Sequence, residues 1–154
     1  MDALVRQSLW FNRLVLAGAT ILFSLIGIRY IADPISAVAP HQITLGSSEA
    51  ITIMRVSGGV FLGIAGVLLA SIFSQRRLLG GIGVLALVSI TVTAVRLYGV
   101  AVDGPAPFTL QVLKPEIALV LLSSLGFLLE SRRLRGNSSS EVTHTAIRVP
   151  SGAR

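Results

Sequence analysis

Arginines and carboxylates punctuate this chain, and between them run apolar stretches of similar length. Arg55 and Arg76 bracket "VSGGVFLGIAGVLLASIFSQ", and Arg77 and Arg96 bracket "LLGGIGVLALVSITVTAV". Each approaches the ~20 residues an α-helix needs to cross a hydrocarbon core. Two shorter runs, "LVLAGATILFSLIGI" between Arg13 and Arg29 and "IALVLLSSLGFLL" between Glu116 and Glu130, become adequate when flanking residues are counted. The pattern predicts an all-α fold, a four-helix transmembrane bundle with antiparallel up-down neighbours and both termini on one side. The helices are expected at about 14–31, 49–74, 78–101 and 115–134.

The punctuation between the runs sets the rest of the organisation. Residues 1–13 read as an interfacial lead with Trp10 and Phe11 at headgroup level, where amphipathic rings are favoured. The basic residues of this lead followed by an apolar run imitate a signal peptide, but an "AVA" cleavage site would place Pro40 directly after the cut. Arg29 and Asp33 also interrupt the approach to it, so an uncleaved first helix is expected. Pro34 and Pro40 break any continuation of that helix, leaving a loop with room for a half-turn on the bilayer. "SSEA" before the second helix supplies hydroxyl caps and an acidic residue suited to the helix dipole. "SQRR" is tight enough to make helices 2 and 3 a hairpin, and "VDGPAPF" forms the last turn, with Pro115 suited to the first helical position. The membrane domain thus occupies 14–135, and the polar tail 136–154 is expected to be disordered.

Composition supports the membrane class. The chain is 53% hydrophobic and 13% charged, against about 25% charged in soluble domains. It has no cysteine, which excludes disulfides and thiolate chemistry. The net charge of +6 divides unevenly: the N-terminal lead, the 76–77 turn and the C-terminal piece carry +1, +2 and +3, while the opposite connections balance. Positive-inside reasoning puts both termini in the cytoplasm. The basic residues form no patch interleaved with aromatics, so no nucleic-acid partner is expected. The expected partners are the bilayer and, within it, another membrane protein or a second copy of the chain.

Helix periodicity nominates the chemistry. Arg55, Gly59, Gly63, Gly66 and Ala70 share one face of the second helix, and the small residues suit close packing against a neighbour, preferentially within the chain. Arg55 would then point inward. Ser89, Thr93 and Arg96 share a face of the third helix, with Tyr98 just beyond, and Glu116, Val120 and Ser123 share one on the fourth. Charged residues near lipid are costly unless paired or snorkelling. Glu116 is therefore expected to pair with Arg55, Arg96 or both near the outer surface, while Arg29 and Lys114 snorkel to headgroups. No cofactor or metal is expected: His41 and His144 are predicted on opposite sides, and the chain lacks HExxH, GxSxG and P-loop patterns.

Three blocks, "RYIADP", "EAITIMRVSGGVFLG" and "AVRLYGVAVDGPAPFTLQVLKPEIALVLLS", make the chain resemble the bacterial domain-of-unknown-function family 4345 of small four-helix integral membrane proteins. The resemblance spans Leu14 to Arg133. It implies a bacterial inner-membrane location and carries no assigned activity. A more distant likeness to small four-helix redox-associated membrane proteins implies a redox role, which the absence of cysteine and of intramembrane histidine opposes. Two functional classes follow. A non-enzymatic membrane component would have a dry, closed Arg/Glu ion-pair cluster and a second small-residue groove facing lipid. A carrier or receptor for a small polar or anionic ligand would have an open outer pocket lined by Arg55, Arg96, Tyr98 and Glu116.

Overall fold

The structure, a computed structural model, describes residues 2–146, and side chains over 6–135. Four long helices, each long and apolar enough to cross a membrane, form an antiparallel bundle: α1 (Asp2–Ala32), α3 (Ser48–Ile72), α4 (Gln75–Asp103) and α5 (Pro107–Ala146). The short α2 (Pro34–Val38) and a 3-10 turn (Ala39–His41) fill the first loop. Backbone groups in an apolar surrounding must be paired within their own segment, and uninterrupted helices satisfy that condition. The connections at 33–47 and 104–106 share one end of the bundle, here the loop end. The start of α1, the C-terminal part of α5 and the tight turn at Phe73 and Ser74 occupy the other, the terminal end.

Short polar side chains and a glycine close the turns. Asp33 caps α2 by accepting a hydrogen bond from the Ser36 backbone N–H at 3.1 Å. Hydrogen bonds from Ser36, side chain first and backbone second, hold the Asp33 carboxyl below the usual carboxylate range, and Arg29 adds a smaller attraction. Ser47 caps α3 by accepting from Ala50 N–H at 3.1 Å, and Glu49 stands in the first turn. Gly104, at φ 89°, ends α4 in a conformation that L side chains rarely adopt.

Three boundaries differ from expectation. The lead at 1–13 is continuous with α1 from Asp2 onward. The fourth helix starts at Pro107, so Pro115 lies inside it instead of opening it. Pro107 takes the early position where a missing N–H costs nothing, and Phe108 and Val112 of the added turns form part of a cavity wall. Membrane helices tolerate such an internal proline because neighbouring groups re-satisfy the freed carbonyl. Lastly, α5 runs through the first part of the supposed tail to Ala146, while 147–154 lie outside the described residues. Extending a formed helix adds one hydrogen bond per residue fixed, and the stretch after Pro115 meets no proline before Pro150.

Packing is uneven along the bundle axis. Leu16, Ala19 and Phe23 of α1, Ala65 and Leu68 of α3, and Leu78, Ile82 and Leu85 of α4 form the buried core. All lie toward the terminal end or the middle of their helices. The most extensive interface joins α1 to α3, and it is fixed by two glycines. A Cβ on Gly58 would sit 2.7 Å from the Gly27 carbonyl oxygen, and one on Gly27 would sit 2.8 Å from that of Gly58. The backbones touch there, as small residues permit at membrane helix interfaces.

Gly59, Gly63 and Gly66 have nothing within 4 Å of an added Cβ, and with Ala70 they are exposed. The intrachain packing expected of them is made instead by Gly58, Ala65, Leu68 and Ser71, about 100° around the helix. The reason is steric: only Gly58 stands opposite Gly27. Gly58→Ala should therefore lower stability by about 1–3 kcal/mol, read from thermal unfolding in detergent by circular dichroism. Gly63→Ala should change it by no more than about 0.5 kcal/mol.

Candidate functional site

Near the loop end α4 and α5 are joined by a bidentate ion pair. Arg96 donates from Nε to Glu116 Oε2 at 2.7 Å and from a terminal guanidinium nitrogen to Oε1 at 2.8 Å. The fork geometry matches a carboxylate, which is the strong form of this interaction. Their side chains are 26% and 17% exposed, so solvent screens the pair only in part. Ser89, Thr93 and Arg96 follow one helical face of α4, and the first two are buried. On α5, Ser123 of the Glu116 face is fully buried.

The remaining nominated residues are elsewhere. Arg55 is exposed on the open face of α3 with Gly59, Gly63, Gly66 and Ala70, and it does not reach Glu116. The rotation of α3 that brings Gly58 against Gly27 carries Arg55 outward. Tyr98 is 69% exposed. Two positions beyond Arg96 on α4, it points about 200° away from the inward face. Lys114 is exposed, as a snorkelling side chain would be.

The ion pair borders a cavity of about 470 Å³ between the α1/α3 and α4/α5 pairs. This is within the 300–1,000 Å³ typical of small-molecule sites. Its deeper wall is apolar, with Leu22, Phe23, Ile26, Phe61, Val88 and Leu119. Phe61 packs against Phe23 at 5.8 Å between ring centroids and meets Tyr30 edge-on at 5.9 Å, separations typical of favourable aromatic pairs. Polar groups gather toward the loop end, where Arg29, Tyr30, His41, Arg96 and Glu116 join the lining. His41, delivered by the 3-10 turn, stacks on Phe108 of α5 with centroids 3.6 Å apart. Periodicity alone could not reveal this contact, which joins a loop residue to a turn of α5 that was expected to lie outside the helix.

A second polar cluster went unrecognised in the sequence. Glu130, taken there as a boundary marker, is fully buried at the terminal end. It accepts from Asn12 Nδ2 at 3.3 Å and pairs with Arg133 one turn along α5. Asn12 is also fully buried. It shares the helical face of the core residues Leu16, Ala19 and Phe23, a spacing that could have marked it. A Cβ on Gly126 would come within 2.5 Å of Asn12 Oδ1, so this glycine admits the asparagine between the helices. The cluster ties the first helix to the last. Among the described residues, no group of three or more His, Asp or Glu side chains is placed to hold a metal ion.

Four long apolar helices, close-packed in one half and hollow in the other, define a multi-pass membrane protein. Residues 11–127 match the family described as "Domain of unknown function (DUF4345)", and the chain belongs to that family. No curated protein and no solved structure matches. The Arg96–Glu116 pair predicts non-additivity. Arg96→Gln and Glu116→Gln should each destabilise by about 1.5–3 kcal/mol. In a double-mutant cycle followed by thermal unfolding, the coupling should be about 0.5–3 kcal/mol.

Proposed function

We propose that this is a non-enzymatic protein of the bacterial inner membrane, with both termini cytoplasmic, that receives or carries a small ligand in a pocket near the outer surface. The cavity beside Arg96 and Glu116 carries this reading. A purely structural ion-pair cluster has no need of the adjoining space, and close packing is the normal condition of protein interiors. The bidentate pair forms part of the wall and sets its polarity. The charge asymmetry of the connections supports the orientation.

A second reading, in which the protein packs against a membrane partner, is supported by the open Gly59, Gly63, Gly66 and Ala70 face. The two readings are compatible and separable by experiment. The chain lacks cysteine, so Gly63→Cys gives a clean cross-linking probe. Disulfide-linked dimers in native membranes would support self-association through this face, and monomer alone would remove that form of the second reading.

The pocket reading is tested with an environment-sensitive naphthalene dye added to the protein in lipid nanodiscs. Saturable blue-shifted emission should occur with the wild type and be lost when either cavity wall is filled, by Val88→Phe or Val112→Phe. Emission unchanged in both folded variants would defeat the reading. Reporter fusions at Gly104 and Arg135 should report opposite sides of the membrane, with Arg135 cytoplasmic.

A further inference from the structure

We infer that the ligand is a single-chain amphiphile with an anionic head, its apolar body in the cavity and its head at Arg29. This rests on the pocket reading above and specifies its occupant. The cavity is graded in polarity. Along α1, the lining passes from Leu22 and Phe23 through Ile26 to Arg29 and Tyr30, a rise of about 10 Å at ~1.5 Å per residue. Along α5 it passes from Leu119 through Glu116 toward Phe108. An entirely polar solute would leave the aromatic floor unsatisfied, and an entirely apolar one would desolvate the rim without replacing its hydrogen bonds.

Size admits a single chain. The cavity of about 470 Å³ is of the size of small-molecule sites, which a medium-length acyl chain with a small head can enter.

Charge selects the head. Two arginines and one glutamate line the cavity. Arg96 and Glu116 are committed to each other through both carboxylate oxygens, so the excess positive charge resides on Arg29. No described residue forms an ion pair with Arg29. Asp33, the nearest acidic residue along the chain, gives Arg29 only a minor attraction without a salt bridge, because its carboxylate is held chiefly by Ser36. Arg29 is exposed while lining the cavity, so it can meet a carboxylate or a phosphate monoester at the rim without being dehydrated first. An amine head would meet the same guanidinium with like charge.

The test uses the full chain in nanodiscs, with dodecanoate, dodecyl phosphate, dodecanol and dodecylamine as competitors of the bound dye. Val88→Phe and Val112→Phe discs serve as controls for partition into lipid. Dodecanoate or dodecyl phosphate should displace the dye at concentrations roughly tenfold below dodecylamine, and the better of the two identifies a carboxylate or a phosphate head. Arg29→Gln should erase at least a tenfold preference for the anions and leave dodecanol unchanged, while Arg55→Gln should alter neither. Equal displacement by all four, or an unaltered preference in Arg29→Gln, would overturn the anionic head while leaving the pocket intact. Competition no different from that in the filled-cavity discs would overturn the pocket reading and this inference together.

Discussion

Arg96 and Glu116 hold each other across α4 and α5 in a span where an unpaired charge would be expensive, and the loop-end half of the bundle is organised around that contact. Breaking a partly buried pair from one side leaves the other charge without compensation. The pair helps to fix the register of α4 against α5, which also pack at Gly83 against Phe127 and at Gly126 against Ile82. It also leaves Arg29 as the lining arginine without a salt bridge among the described residues.

The two halves of the bundle use different physics. Toward the terminal end, small and branched side chains interlock, and the Asn12–Glu130–Arg133 cluster joins α1 to α5 through buried polar contacts. Between lipid-exposed helices such contacts and close backbone approach supply association that the hydrophobic effect does not. The Gly27–Gly58 contact does the same for α1 and α3. Toward the loop end a cavity lies between the α1/α3 and α4/α5 pairs, and the aromatic rings of Phe23, Tyr30 and Phe61 line part of it. The stacked His41 and Phe108 bring the first loop and α5 together at the same end. A close-packed half thus adjoins one that holds a cavity.

Much of this was legible in the residues. The four apolar runs, the tight turn at Ser74, the hydroxyl cap before α3 and the inward stripe of Ser89, Thr93 and Arg96 all follow from length, turn chemistry and helical period. The differences share a cause. Arg55, Gly59, Gly63, Gly66 and Ala70 share a face whose small residues suit close packing, yet Gly58 beside them makes the contact. Pro115 suits a helix start by its local preference, yet α5 begins at Pro107, and Phe108 of the added turns stacks on His41. Glu130 was treated as the end of a span because its partner Asn12 lies 118 residues away in sequence.

Sequence alone determined that the chain is a bundle of four apolar helices and that Glu116 needs an arginine, because both follow from local constraints: an apolar medium demands internally paired backbones and compensated charge. Tertiary structure decided which arginine, which glycine and where the space was left. Those choices depend on rotating whole helices about their axes, and one position along a helix turns a side chain by about 100°. A face rich in small residues does not reveal whether it turns toward a neighbour in the chain or toward lipid. Only the opposing surface, here the backbone of α1 at Gly27, settles the rotation, and with it the position of the cavity.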